Sequence, residues 1–486
     1  MTELYNLVEL RLMECERCKH FPQFGLSKLK RLDIKGMNSL EYFPRECLGS
    51  LTSLESVDID SLPRLTSLPL GLWHLSKLVK LSIRCCRELD LSKDESGKII
   101  LDVHGLQSLR SVTFSRIPKL ESLPQWILQL RSLEHLLISD CSNLKALLEQ
   151  IEKCEELDIS KDESSNILDF HGGLQSLRSM DITHLPKLTS LPQWLLQARN
   201  LEDLTIWECK ELDLSKDESG NIILDVHGLQ SLRSVTFSGI PKLESLPQWI
   251  LRLCSLEHLE ISICEELDLS KDESSNIILD FHGLQSLRSL KIEDLPKLES
   301  LPQWIQQHRS LEGLIIRGCP NFKALSEQIE KFEELDISKD ESGNILDFHG
   351  GLQSLRFVTI YHLPKLTSLP QCLLQARNLE RLIIRSCHNL KAIPEQMEAL
   401  QSLQYLDISW CNSLTSFPEA MRRLTSLTHL NIFDCGELEE SCKRQAGEDW
   451  DKIAHIPHIS YKKPFTRGMW GPCFPDFYMN NFSNNT

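Results

Sequence analysis

The sequence predicts an α/β solenoid: a horseshoe of about 18 repeats, with a concave parallel β-sheet and an irregular, short-helical convex side. Two observations carry that expectation. The phrase Leu-x-x-Leu-x-Ile-x-x-Cys recurs down the chain, followed by Leu-Pro and often by Gln-Trp, as at Leu133, Leu136, Ile138 and Cys141. A longer period lies over it: Leu109, Leu232 and Leu355 stand 123 residues apart, and residues 101–136 match 224–259 except at Arg116/Gly239, Gln129/Arg252 and Arg131/Cys254. One such phrase cannot bury its own leucines and must stack on its neighbours.

The first apolar residue of each phrase marks a repeat. The markers are Leu7, Leu29, Leu54, Leu78, Leu109, Leu133, Cys154, Leu177, Leu201, Leu232, Leu256, Leu287, Leu311, Phe332, Leu355, Leu379, Leu403 and Leu427. Most steps are 21 to 25 residues and three are 31. The 31-residue repeats carry the block Glu-Leu-Asp-Leu-Ser-Lys-Asp-Glu-Ser, as in 211–219, and read as two repeats fused by a 13-residue deletion. Each Leu-x-x-Leu-x-Ile stretch predicts a short parallel strand. Because strand side chains alternate, Leu136 and Ile138 point inward while Leu137 and Ser139 face the concave side. The following Pro-Lys-Leu-x-Ser-Leu-Pro-Gln-Trp turns the chain, proline fixing φ. Trp126, Trp194, Trp249 and Trp304 recur there at regular spacing, which predicts core packing on the convex side and no shared ligand cage. This is the leucine-rich repeat signature.

The predicted organisation is an array over 1–436, a cap over 437–463 and a flexible tail over 464–486, where Pro, Gly, aromatic and Asn residues take over. A net charge of −16 argues against nucleic acid and anionic membrane as general partners. Lys28, Lys30, Arg31 and Lys35 could form a local basic patch, although a solvated edge is the plainer reading. Met1 runs straight into the first repeat without a secretory signal, and no apolar run is long enough for a transmembrane helix. Leu4, Leu7 and Leu10 have no evident cap before them. Of the 17 cysteines, nine (Cys15, Cys86, Cys141, Cys209, Cys264, Cys319, Cys387, Cys411 and Cys435) share one repeat position, as buried thiols of a reducing compartment would. A cytoplasmic location is expected.

The chemistry of an enzyme is missing from the pattern. No Gly-x-x-x-x-Gly-Lys-Ser/Thr, Gly-x-Gly-x-x-Gly, His-Glu-x-x-His or Gly-x-Ser-x-Gly occurs. Asp-Val/Phe-His pairs at Asp102/His104, Asp169/His171, Asp225/His227, Asp280/His282 and Asp347/His349 are spread along the array and read as duplicated structure. Cys15-x-x-Cys18-x-His20 lacks the second ligand pair that a structural zinc wants. Ser-Lys-Asp-Glu-Ser at 92–96, 160–164, 215–219, 270–274 and 338–342 reads as a polar rim loop, with a phosphorylation stripe as the sharper alternative. No catalytic, cofactor or metal residues are expected.

A binding surface remains. Interface anchors favour Trp, Tyr and Arg. The concave positions richest in such groups are Trp207, Arg317, Phe357, Tyr361, Arg385, Tyr405, Trp410 and Phe433, concentrated in the last four repeats. The chain also ends its array with Gly447-Glu-Asp-Trp450-Asp-Lys-Ile-Ala-His455-Ile-Pro457. With the Leu-Pro-Gln-Trp/Leu-x-Leu-x-Ile-x-x-Cys style, this resembles the repeat region of plant coiled-coil, nucleotide-binding (NB-LRR) disease resistance proteins. The resemblance implies sensing of a pathogen effector or a guarded host protein, and contact with the nucleotide-binding domain of a receptor. This chain departs from the family in having no coiled coil, no nucleotide-binding domain and no phosphate loop, so the nucleotide switch is not implied here. The 437–455 segment reads as a helical cap with Trp450 and Ile453 inward, ended by Pro457. A stand-alone intracellular scaffold or adaptor, or a truncated receptor fragment without signalling activity, is the alternative.

Overall fold

The structure is a computed structural model that describes residues 6–462 apart from 16, 19–25, 45–47, 95–96, 101–102, 104, 148–173, 218–219, 224–227, 272–281 and 324–351. It divides into two compact units, Met1–Asn321 with Asp347–Leu352, and Phe322–Leu346 with Gln353–Thr486.

The first unit carries β1 (Glu9–Met13), β2 (Arg31–Lys35), β3 (Ser56–Asp60), β4 (Lys80–Arg84), β5 (Ser111–Ser115) and β6 (His135–Ser139). It continues with β7 (Ser179–Thr183), β8 (Asp203–Trp207), β9 (Ser234–Ser238), β10 (His258–Ser262), β11 (Ser289–Glu293) and β12 (Gly313–Arg317). Consecutive strands pair in parallel with every apolar position in register, for instance Leu136 beside Met180 and Ile138 beside Ile182. The second unit repeats the pattern with β13 (Phe357–Tyr361), β14 (Arg381–Arg385), β15 (Tyr405–Ser409), β16 (His429–Phe433) and the shorter β17 (His458–Ser460), again consecutive and parallel. The second and fourth residues of the repeat strands are buried from β2 onward, and the first, third and fifth make an open face. Leu137 and Ser139 lie on that face, as the alternation predicts.

Sixteen of the eighteen expected strands are among the described residues. Those expected at Cys154 and Phe332 fall outside them. Within the first unit β6 pairs directly with β7. The 31-residue repeats contribute one strand each. Each spans a single ladder step, β4 to β5, β8 to β9 and β10 to β11. In two of them the additional residues form a small antiparallel excursion, with bridges Lys93–Ile99 and Lys216–Ile222. Gly97 and Gly220 turn these excursions at φ of +79° and +78°.

The tryptophans pack as expected and do something more. Trp126, Trp249 and Trp304 are fully buried on short helical turns that begin just after a proline. Each indole Nε1 donates 2.9 Å to a main-chain carbonyl 35 residues earlier, those of Leu91, Leu214 and Leu269. Those carbonyls belong to the Leu-Asp-Leu block of the preceding repeat, so each tryptophan pins the root of an insert. Where the preceding repeat has no insert, in the second unit, Gln396 and Ala420 occupy the tryptophan's place and Met397 and Met421 fill the core beside them.

Every repeat strand in the described residues is followed by one residue in the left-handed region, φ between 51° and 68°. Apart from Gly318 and Asp434, its amide extends the ladder by one bond, as from Glu208 N to Ser238 O at 2.8 Å and from Trp410 N to Phe433 O at 2.8 Å. The reversal tucks the next residue, usually cysteine, under the sheet. Eight of the nine predicted cysteines are buried there, and their thiols donate to the carbonyl two residues back, Cys264 to Ser262 at 3.3 Å for example. Cys15, in the first strand's repeat, is only half-buried.

After β16 the chain forms helical turns Glu437–Ser441 and Trp450–Ile453 and then β17. Leu438, Cys442, Ile453 and Ile456 are buried. The expectation for Trp450 is corrected: it is half-buried, and its neighbour Asp449 goes inside instead. Asp449 accepts from the Phe417 amide at 2.8 Å and the Ser441 hydroxyl at 3.0 Å, and Lys452 pairs with it at 2.7 Å. A buried carboxylate is stable when several donors replace water. The residues assigned to a tail, 464–486, lie outside the described residues.

Candidate protein-binding surface

The open face is read most easily as three lengthwise columns, formed by the first, third and fifth strand residues. In the second unit the first column runs Phe357, Arg381, Tyr405, His429, His458 in register. The Arg381 guanidinium carbon lies 4.3 Å from the centre of the Tyr405 ring. Tyr405 faces His429 at 6.3 Å, and His429 stacks on His458 at 4.7 Å with 29° between planes. At the head of the column Arg356 lies 5.5 Å from the Phe357 ring. Planar cations and rings attract each other through the ring quadrupole.

The fifth column runs Tyr361, Arg385, Ser409, Phe433. Between the columns sits Asp407, fully buried. Arg385 Nη2 donates 2.7 Å to one of its carboxylate oxygens, and the Ser409 hydroxyl donates 2.6 Å to the other. The Tyr405 hydroxyl lies 3.4 Å from the same carboxylate. Burial, with that negative neighbour, raises the Tyr405 phenol above its ordinary value. One internal carboxylate thus fixes the orientation of Arg385, Ser409 and Tyr405.

Six of the eight predicted anchors, Phe357, Tyr361, Arg385, Tyr405, Trp410 and Phe433, therefore lie on the second unit. Trp410 is placed differently from the expectation. It follows β15 at the left-handed turn, φ 56°, on the rim of the face, where its ring meets Phe433 edge-on at 5.4 Å. Trp207 and Arg317 are on the first unit. Trp207 is 37% exposed at the end of β8, beside His184 at 5.7 Å. Arg317 belongs to a chain of charges in which Lys291 pairs with Glu260 at 2.7 Å and Glu293 at 3.2 Å, and Glu293 reaches Arg317 at 3.7 Å. Sequence reading missed Arg381, His429 and His458. Each is the first residue of its strand; the marker spacing implied the register of Arg381 and His429, whereas β17 carries no marker.

The other candidates resolve as ordinary structure. The basic cluster is neutralised: Lys30 pairs with Glu55 at 2.8 Å, Arg31 with Asp33 at 3.0 Å and Lys35 with Asp60 at 3.4 Å, while Lys28 donates to Asn6 at 2.7 Å. In three rim loops the serine is held by the aspartate two residues before it, Asp90, Asp213 and Asp268 each accepting from the following serine's amide at 3.0 Å and hydroxyl at 2.5 Å. The remaining copies, 160–164 and 338–342, lie outside the described residues, as do the complete Asp-His pairs. Cys15 and Cys18 share a turn, with the Cys18 amide donating to the Cys15 carbonyl at 3.1 Å, but His20 is not among the described residues. Among the described residues no three His, Cys, Asp or Glu side chains are grouped to hold a metal, and no helix is long and apolar enough to cross a membrane.

Two family models match, one described as a leucine-rich repeat region over residues 87–270 and one as a leucine rich repeat over 377–436. The chain is a leucine-rich repeat protein. A leucine-rich repeat protein of Leptospira interrogans shares the fold, with a TM-score of 0.51 and 20% identity over 91% of this chain and 100% of that one. In sequence, the leucine-rich repeat chain is 27% identical to a putative disease resistance protein of Arabidopsis thaliana over 74% of its own length and 30% of the relative's. It is 25% identical to Protein SUPPRESSOR OF npr1-1, CONSTITUTIVE 1 of the same plant, over 69% of its own length and 27% of that protein's. A probable disease resistance protein, again from Arabidopsis thaliana, is 26% identical over 68% of this chain and 33% of its own. The chain thus spans about a third or less of the curated relatives it matches.

Proposed function

We propose that this chain is a non-enzymatic protein-recognition module of the plant disease resistance type, working in the cytoplasm, with the open face of β13–β17 as its principal contact surface. The observation that supports this reading most is the gathering of Phe357, Tyr361, Tyr405 and Phe433 with Arg381 and Arg385 on one face, Trp410 on its rim. Aromatic and arginine side chains held in fixed geometry are the groups that dominate binding energy at protein interfaces. The partner is a pathogen effector, a guarded host protein or the nucleotide-binding domain of a receptor. We further propose that 437–463 acts as a cap, closing the apolar end of the array with Leu438, Ile453 and Ile456.

Quantitative affinity purification from plant tissue tests the reading. Wild-type chain is compared with Tyr361→Ala/Trp410→Ala/Phe433→Ala and, as a control on the other unit, with Trp207→Ala. The expected result is loss of a defined set of proteins with the triple variant and their retention with the control, both variants keeping the wild-type circular dichroism. Identical protein sets for all three chains would overturn it.

A further inference from the structure

The second unit's first column points to the chemistry of its occupant. Arg381 has no carboxylate within 4.0 Å among the described residues, and its Nε has no hydrogen-bond partner there although it is buried from solvent. Its guanidinium lies over the π face of Tyr405, 4.3 Å from the ring centre. Two imidazoles follow in the same column, and His429 uses only Nδ1, 2.9 Å from the Thr428 hydroxyl. The one acidic residue in the strands β13–β17, Asp407, is buried and held by Arg385 and Ser409. The column therefore offers an unneutralised guanidinium and imidazole N–H groups on a rigid aromatic base, and its internal carboxylate is already engaged.

From this we infer that the column Phe357–Arg381–Tyr405–His429–His458 receives an Asp/Glu-rich segment of a partner protein, a carboxylate docking on Arg381 and apolar side chains lying on Phe357 and Tyr405. The inference rests on the reading of this face as a protein-binding surface. A protein segment fits better than nucleic acid. A long polyanion is repelled by a chain of net charge −16, whereas a short acidic segment meets only the surroundings of Arg381. Guanidinium binds carboxylate through paired, charge-assisted hydrogen bonds, and an arginine already oriented by a ring loses little freedom on doing so.

A displayed library of random twelve-residue peptides, selected on the wild-type chain, tests this. The selected peptides are then measured by fluorescence polarisation against wild type, Arg381→Gln, Tyr405→Ala and Trp207→Ala, and a fluorescent single-stranded oligonucleotide serves as a separate probe. The expected result is enrichment of Asp and Glu, with affinity falling roughly tenfold or more in Arg381→Gln and unchanged in Trp207→Ala. Peptides that depend on Tyr405 but show no acidic excess would overturn the acidic-partner inference and leave the binding face standing. Peptides indifferent to both second-unit variants would overturn both. Oligonucleotide binding that outlasts the peptides and depends on Arg381 would also overturn it, in favour of a nucleic acid ligand. Arg381→Lys, which keeps charge but loses the planar fork, separates a folding defect from lost recognition: it is expected to retain the fold and part of the affinity.

Discussion

The two units use one backbone for opposite surfaces. On the first, open-face charges are answered from neighbouring strands: Arg11 by Asp33 at 3.1 Å, Arg84 by Asp58 at 2.7 Å, Lys291 by Glu260 at 2.7 Å. Its hydroxyls bond one another, Ser139 to Ser115 and Ser262 to Ser238, both at 2.8 Å. On the second, rings and guanidinium groups stack, and the one carboxylate at a strand position is buried beneath them. The buried positions barely differ, Leu136 and Ile138 on the first unit matching Leu406 and Ile408 on the second. A solenoid separates the residues that make the fold from those that face outward, so surface chemistry can change along the array while the ladder stays the same. A face whose charges already satisfy one another offers a partner little. A face that presents oriented rings and an unneutralised arginine offers anchors.

The units differ on the reverse side too, and the largest effect is expected there. Trp249→Ala removes a buried indole that packs edge-on against Phe237 at 6.3 Å and releases the Leu214 carbonyl. It should lower the stability of the first unit by about 3–5 kcal/mol, and Trp249→Phe, which keeps most of the volume, by about 1–2 kcal/mol. Denaturant unfolding followed by hydrogen exchange should place the loss in β8–β12. An equal loss in β13–β17 would break the comparison.

Next comes the internal carboxylate. Arg385→Ala leaves Asp407 buried without its cation and should cost about 3 kcal/mol. Arg385→Met with Asp407→Leu should recover most of that, since replacing both members of a buried pair is often neutral. The corresponding first-unit change, Arg84→Ala beside the partly exposed Asp58, should cost about 1 kcal/mol or less. Comparable losses from Arg385→Ala and Arg84→Ala would show that Asp407 does not organise the second face.

Thiol labelling sharpens the comparison differently, because the cysteine position is common to both units. Burial pushes the thiols of Cys141, Cys209, Cys264 and Cys387 up to about 11 and those of Cys86 and Cys319 up to about 12. At pH 8 these groups stay protonated, and the thiolate is the reactive form. Peptide mapping after brief iodoacetamide treatment should find Cys18 and Cys254 alkylated, both exposed, and these six untouched until denaturant is added. Rapid labelling of Cys387 with the others protected would mean that the second unit opens on its own. The smallest effect is expected from the exposed rungs, such as Glu257→Gln opposite Arg233, which should change stability by under about 1 kcal/mol.

Much of this was legible in the sequence for a simple reason. Leucine and isoleucine at alternate positions specify which face is buried, and the repeat spacing then specifies which strands are neighbours. Five of the six candidate anchors on the second unit followed from that alternation, Trp410 being the exception. Three features did not. The left-handed residue after each strand has no fixed identity, being Ile263 in one repeat, His184 in another and Trp410 in a third, because the stacked ladder imposes the conformation on whatever stands there. The direct pairing of β6 with β7 did not follow, because the Glu-Glu-Leu-Asp-Ile phrase at 155–159 carries the same apolar alternation as the strand phrases. Asp449 was read past in favour of Trp450, since a buried carboxylate becomes intelligible only when the Phe417 amide, Ser441 and Lys452 are seen around it.

Recognition is proposed to belong to the second unit's face. Hydroxyl-radical footprinting of the chain, alone and with a protein recovered from plant tissue, reads that claim at the side chains themselves. Oxidation of Tyr361, Tyr405, Trp410 and Phe433 is expected to fall on binding while Trp207 is oxidised as before. Protection of Trp207 with no change at those four would contradict it and move the binding surface to the first unit.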